Sequence, residues 1–395
     1  KDFEETSLVP PLGNGPYKIT KVDAGKSITL TRVKDWWGEN LPINKGRYNF
    51  DTITVDYYRD ATVALEALFA NRYDLRQENI AKVWATGYDA PPVKDGRIKK
   101  EEIKNGLPAG MQAFVMNVRR PVFADRNVRK ALQYAFDFEW ANRSLAHNAY
   151  TRNDSFFENS EFASSGVPQG KELALLNGFK DQLPPELFTE EFKNPVTDGQ
   201  GDARDNLRTA MQILDNAGWT VGADGIRAKD GVKLQFEIIE NQPEFERWVL
   251  PFIRNLRRIG IIANFRVVDT AQMVQRLNDF DFDMTVSGFG QSNSPGNEQR
   301  EFWGSDKANA PGSRNIIGIK NPVVDVLVDK IATANTKEDL LASVRALDRV
   351  LLWNYYVIPQ WYTGVWKVAY WDKFGRPEKQ APYAIGISDT WWIRK

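Results

Sequence analysis

The chain contains no cysteine, one histidine and five methionines among 395 residues. Without cysteine there is no thiol nucleophile, no thiolate metal site and no disulfide staple. A Ser-His-Asp triad would have to be built around His147 or not at all, and a histidine-rich zinc site is excluded. No apolar run approaches the roughly 20 residues that cross a bilayer. An excess of one charge is missing too: 52 basic and 52 acidic residues cancel. They are dispersed, with no basic stripe for a phosphate backbone, so nucleic acid is not an expected partner. Lys1-Asp-Phe-Glu-Glu5 is too acidic to open a secretory signal, and the chain is expected to be a mature or trimmed soluble form.

What is abundant is aromatic. Phe, Tyr and Trp make up 12% of the chain and include 13 Trp; such flat, amphipathic side chains serve either a core or the lining of a cleft that accepts varied ligands. The length predicts two domains, or one with a large insertion.

Hydrophobic periodicity gives a mixed α/β pattern. Gly13-Asn-Gly-Pro16 marks a turn, residues 17–22 and 27–32 alternate as a hairpin, and residues 50–57 form a further strand. Asp60 is placed to cap a helix that buries Val63, Ala64, Ala67 and Leu68 and ends near Asn71. From Asp125 the period changes. Val128, Ala131, Leu132, Ala135 and Phe138 form one stripe of a long helix capped by Asp125 or Asn127. Leu207, Ala210, Met211 and Leu214 form another stripe, ended by Gly218. A strand at 233–239, a helix at 248–259 ended by Gly260 and a strand at 261–268 follow, the order of a mixed or parallel sheet covered by helices. Residues 148–200 carry little pattern and are expected to be long loops.

Reactive motifs fail on inspection. Ala24-Gly-Lys-Ser27 ends like a P-loop, but Thr20 stands where the loop needs Gly and a strand follows. Gly288-Phe-Gly290 lacks the third glycine of a dinucleotide turn. Asp279, Asp281 and Asp283 would share one face of an extended strand, but the spacing lacks an EF-hand's glycine and distal Glu, and a solvated strand start is the expectation. Paired carboxylates for glycoside hydrolysis have no specific support. His147, beside Asn148 and Tyr150, is expected to be a surface or cleft residue rather than a catalyst. What remains is a polar loop after an apolar strand: Gly288, Gly290 and Gly296 allow close backbone approach, and Gln291, Ser292, Asn293 and Asn297 donate and accept without fixed charge. That profile suits a binding protein more than an enzyme.

Several segments together resemble the family 5 extracellular solute-binding proteins of ABC importers, the group of dipeptide and oligopeptide receptors. Leu12-Gly-Asn-Gly-Pro-Tyr17 resembles the family's turn and strand, and Asp125-Arg-Asn-Val-Arg-Lys-Ala-Leu-Gln-Tyr-Ala135 its signature helix. Residues 213–219, 256–261 and 282–289 continue the likeness in order across nearly the whole chain. Residues 150–158 and 291–303 are similar to the YejA-type branch, associated with oligopeptide uptake in Gram-negative bacteria.

The resemblance implies an α/β fold of the periplasmic binding protein type II kind (cluster C), two lobes joined by a hinge, with mixed sheets under helices. Residues 1–113 would be part of lobe I, 114–360 lobe III, and 361–395 the return to lobe I. The family's N-terminal segment and second domain are expected to be absent. It implies a periplasmic, non-enzymatic and monomeric receptor that delivers oligopeptides or peptide-like compounds to an ABC permease by hinge closure, with no cofactor and no metal. Its ligand residues would be Met111, Gln112 and Phe114 at the first crossing, Ser287, Phe289, Gln291 and Asn293 in the polar loop, and Trp361 and Tyr362 at the second crossing, with His147 as a further candidate. The family's peptide receptors pair an Asp in this loop with the ligand's ammonium. Ser292 and Asn293 stand in that neighbourhood here, which leaves Glu158 as the candidate acid. The alternatives are an oligosaccharide receptor of the same family or, in another class, a glycoside hydrolase.

Overall fold

The computed structural model describes residues 7–395. Their contacts divide the chain into two compact units: a smaller one formed by residues up to Asn105 and again from Val365, and a larger one from Gly106 to Gly364. The chain therefore crosses between units at 105/106 and 364/365, where the sequence reading has 113/114 and 360/361. The difference arises because residues 111–116 and 357–362 pair with strands of the larger unit.

In the smaller unit, β1 (Tyr17–Asp23), β2 (Ser27–Arg32) and β3 (Thr52–Asp56) form an antiparallel meander. The predicted hairpin is its first two strands. α1 (Ala61–Phe69) is capped by Asp60, whose carboxylate accepts from the Val63 amide at 2.9 Å. Its buried face is Ala64, Leu65 and Leu68; Val63, predicted to be buried, is 57% exposed because that face is turned toward Leu65. β4 (Leu75–Gln77), α2 (Ala81–Thr86), α3 (Pro91–Lys94) and β5 (Ile98–Lys104) follow.

The larger unit opens with β6 (Met111–Met116). α4 (Arg126–Ala135) stops one turn short of the predicted stripe: Phe136 is extended, and Asp137 accepts from the Trp140 amide at 3.1 Å to cap α5 (Phe138–Ala146). β7 (Thr151–Arg152) is followed by a stretch expected to be all loop that does contain α6 (Gly170–Asn177) and α7 (Glu186–Thr189). α8 (Arg204–Asn216) leads into a small meander of β8 (Thr220–Val221), β9 (Arg227–Lys229) and β10 (Val232–Lys233).

β11 (Gln235–Glu240), α9 (Glu246–Arg258), β12 (Ile262–Val267), α10 (Thr270–Asn278) and β13 (Met284–Phe289) make successive βαβ units. α11 (Glu298–Trp303), α12 (Pro322–Ala332), α13 (Lys337–Trp353), β14 (Val357–Pro359) and β15 (Trp361–Tyr362) complete the unit.

Its five-stranded sheet runs β12-β11-β13-β6-β14. β11 is parallel to β12 and β13, and β6 is antiparallel to β13 and β14. Consequently the C-terminal ends of β11, β12, β13 and β14 share one edge with the start of β6, and β15 pairs with β7 beyond that edge. Open strand ends of this kind leave backbone groups outside the ladder, where α/β proteins bind ligands.

The acidic run before β13 is solvated as expected at Asp279 and Asp281, which are exposed, but it is not extended throughout. Phe280 adopts a left-handed conformation that breaks the extended geometry, and Asp281 and Asp283 pair with Arg120 at 2.9 and 3.0 Å. The chain returns to the smaller unit as β16 (Val365–Trp371), which lies between β4 and β5. β17 (Phe374–Gly375), α14 (Ile387–Thr390) and β18 (Trp392–Ile393) end it.

Candidate functional site

All eleven candidate residues belong to the larger unit. Register places Met111 opposite Phe289, Gln112 opposite Gly288 and Ala113 opposite Ser287. Both faces of this sheet are covered, so alternation buries side chains in both directions. Met111 (1% exposed) and Phe289 (2%) pack with Phe156, Phe302 and Trp303 on one face. Phe114 (0%) stacks on Phe252 on the other, ring centroids 5.1 Å apart. These three side chains hold the sheet edge and do not reach its surface. Gln112 is only half-buried, and its Nε2 donates to Gln360 Oε1 at 3.0 Å. Ser287 is half-buried as well.

The polar loop after β13 is braced from within. Gln291 Oε1 accepts from Gln299 Nε2 at 2.7 Å, and Gln299 Oε1 accepts from Trp303 Nε1 at 2.8 Å. The Gly296 amide donates to Glu298 at 2.8 Å. Asn293 is exposed on this loop. At the start of β6, Gly110 has φ +67° and a Cβ there would run into the Phe289 carbonyl, so only glycine lets the two strand ends approach.

Residues without a local signal complete the edge. Asn153 Nδ2 donates to the Gly110 carbonyl at 2.8 Å, its amide donates to the Gln360 carbonyl at 3.2 Å, and Asn194 Nδ2 donates to the Asn153 carbonyl at 2.8 Å. In this structure Gln291 Nε2, Gln360 Nε2, Asn153 Oδ1 and Asn194 Oδ1 are buried without a hydrogen-bond partner. Native interiors rarely leave such groups unmatched, and at a strand edge they point to a ligand or ordered water. Beside them Arg152 is buried over the Phe136 and Phe138 rings, and burial pushes its pKa down to about 10.

Trp361, itself buried at 7% exposed, is the centre of an aromatic stack. It stacks on Trp248 with centroids 3.9 Å apart, on Tyr150 at 5.5 Å and on Phe245 at 6.4 Å. Next to it, the half-buried Tyr362 phenol meets Glu158; burial and then the Glu158 charge raise the phenol's pKa. Glu158 is fixed by the Asp154 amide, which donates to its carboxylate at 2.9 Å, and by Ala109, whose amide donates to its carbonyl at 2.8 Å. His147 stands apart in role: exposed, with φ +54°, it ends α5 in the left-handed conformation three residues before Tyr150.

Residues 1–311 match the family model for bacterial extracellular solute-binding proteins, family 5 (middle). The chain is 46% identical to the probable peptide-binding protein YejA of Agrobacterium fabrum, over 100% of this chain and 65% of that protein. It is 43% identical to YejA of Escherichia coli, over 97% and 63%. It thus spans less than two-thirds of the length of these relatives. Among solved structures, the oligopeptide-binding protein AppA of Bacillus subtilis, in complex with a nonapeptide, superposes with a TM-score of 0.70 at 20% identity, covering 96% of this chain and 66% of that one. The fold is accordingly that of the type II periplasmic binding proteins.

Proposed function

The chain belongs to the bacterial extracellular solute-binding proteins of family 5, and from that premise we propose that it serves as a periplasmic receptor for oligopeptides or peptide-like compounds. It passes them to the membrane subunits of an ABC importer, and closure is governed by the two chain crossings at 105/106 and 364/365. Periplasmic binding proteins as a class are the standard example of hinge closure around a ligand, in which the ligand acts only through its preference for one state.

One observation carries the reading: unmatched amide donors and acceptors from Gln291, Gln360 and Asn153 gather where β13 and β14 end and β6 begins. An extended peptide presents alternating N–H and C=O groups of that kind, and a receptor that pairs with main chain need not read every side chain. At the margin of the Trp361 stack, the half-buried Tyr150 and Phe245 rings offer stacking area to apolar side chains. Glu158, with Tyr362 at its side, supplies the negative charge for the ligand's ammonium. No nucleophile-base pair is required by any of this.

The first test is to denature the purified protein and identify what it carries by mass spectrometry. Recovered peptides support the reading, whereas recovered sugars would favour the oligosaccharide receptor, for which the Trp361 stack is the relevant feature. Peptides found in this way are then titrated. Glu158→Gln is expected to weaken a free-amino peptide about tenfold or more and its N-acetylated form hardly at all. Equal loss for both forms would remove Glu158 from ammonium recognition.

A further inference from the structure

The loop that carries Glu158 is held at both ends by one carboxylate. Asp348 lies in the interior of α13 and is fully buried. One of its oxygens accepts from the Phe156 amide at 2.7 Å; the other accepts from the Ser155 hydroxyl at 2.8 Å, the Ser164 amide at 2.9 Å and the Ser164 hydroxyl at 2.7 Å. The charged groups of the surrounding elements are engaged elsewhere. Arg345 donates to the Glu161 carbonyl at 2.7 and 3.1 Å, and Lys337 pairs with the Glu161 carboxylate at 2.9 Å. Arg349 pairs with Glu172 of α6 at 2.7 Å and donates to the carbonyls of Gly166 and Ser165. Glu158 itself is turned to the Asp154 amide and Tyr362.

Phe156, Phe157 and Phe162 also anchor this loop in the core. Apolar burial is non-directional, however, and does not by itself fix the path between anchors. The carboxylate does, because each bond to it has a required direction. It joins residues 155–156 to residue 164, and the turn between them presents Glu158.

We propose that Asp348 is a positioning residue of the binding site, a buried latch that fixes both ends of residues 155–164 and so sets where the Glu158 carboxylate stands. Its consequence for binding rests on the peptide-receptor reading; the latch itself does not.

The latch has a thermodynamic signature. Burial raises the Asp348 pKa from 3.8 to about 6, against the pull of its hydrogen bonds. A carboxyl with a higher pKa in the latched than in the released state favours the latched state at low pH. That contribution is complete below the ordinary carboxylate pKa and is lost as pH rises through about 6.

Hydrogen exchange on the full chain, read as protection factors at the Phe156 and Ser164 amides, tests this. In the wild type, protection is expected to fall by up to roughly a hundredfold as pH rises from about 4 to about 7, then level off. Asp348→Asn, which does not titrate, should give a flat profile, and Asp348→Ala should lower protection about tenfold or more at every pH, since both amides lose their acceptor. Unchanged protection in Asp348→Ala, or a slope that survives in Asp348→Asn, overturns the latch. Should either variant fail to fold, Ser164→Ala keeps the carboxylate but removes one donor; the profile must then move to higher pH, and an unmoved midpoint counts against the proposal.

The link to the site is read separately, by retention of a synthetic hexapeptide mixture at pH 7.5. Retention about tenfold lower in Asp348→Ala supports it, and equal retention overturns it. If the wild type retains no peptide, the receptor reading fails while the exchange profile still decides the latch.

Discussion

Arg349 is 1% exposed, and its guanidinium meets the largely buried Glu172 carboxylate at 2.7 Å. Removing one partner of such a pair leaves a charge in the interior without compensation. Arg349→Met is therefore expected to cost about 3–5 kcal/mol, read as a lower urea midpoint, and the double variant with Glu172→Leu to recover most of it. Distance along the chain also decides which site residues the sequence reveals. Met111, Phe114 and Phe289 are reached through the family resemblance, and nothing in their alternation tells a half-exposed strand from one covered on both faces. Gln360, Asn153 and Asn194 matter because of partners up to 248 positions away, as the Gln112–Gln360 bond illustrates. A pattern that compares neighbours a few places apart cannot register them. Tyr150 and Trp248 are legible as aromatic, but not as members of one stack with Trp361.

Helix α4 shows what local chemistry does predict. Asp125, one of two caps expected from the sequence, accepts from the Asn127 amide at 2.8 Å and from Trp219 Nε1, past the end of α8, at 3.0 Å. Asp125→Ala is expected to cost about 1–2 kcal/mol, visible in thermal or urea unfolding. Burial of Asp125 raises its pKa, but the bonds from Trp219 and Asn127 outweigh that and hold it below 3.8. Its contribution is thus present above that value and lost as pH falls through the depressed one, a segment of the acid limb that Asp125→Ala should remove. The far end of the helix is less legible: an unbroken stripe from Val128 to Phe138 suggests one helix, while Asp137 offers a second cap that wins locally. α6 gives no sequence signal because it begins at Gly170 after Pro168 and buries little besides Glu172 and Leu176, so it shows no apolar stripe. The succession β11, α9, β12 is legible because its strands and helix differ in period, whereas α10 buries only Met273 and gives no stripe to read.

At the scale of the molecule, the larger unit is one continuous segment with its own five-stranded sheet and core. Residues 106–364 expressed alone are therefore expected to unfold in a single cooperative transition, by circular dichroism and calorimetry, with the Trp361 stack intact. A broad, non-cooperative melt would mean that this core depends on the rest of the chain. The division into two units follows from length, but its position rests on which strands pair, and pairing partners as distant as Met111 and Phe289 are not marked in the sequence.

The smaller unit has the opposite construction. β4 and β5 do not pair with one another; both pair with β16, which the chain contributes only after the larger unit. During synthesis from the N-terminus, the two outer strands emerge first and wait without a ladder while the whole larger unit is made. The middle of this sheet is the last of its three strands to exist. Completion of the smaller unit is therefore timed by translation of β16, and an interruption between Lys104 and Val365 leaves its outer strands as open edges that can pair with other chains.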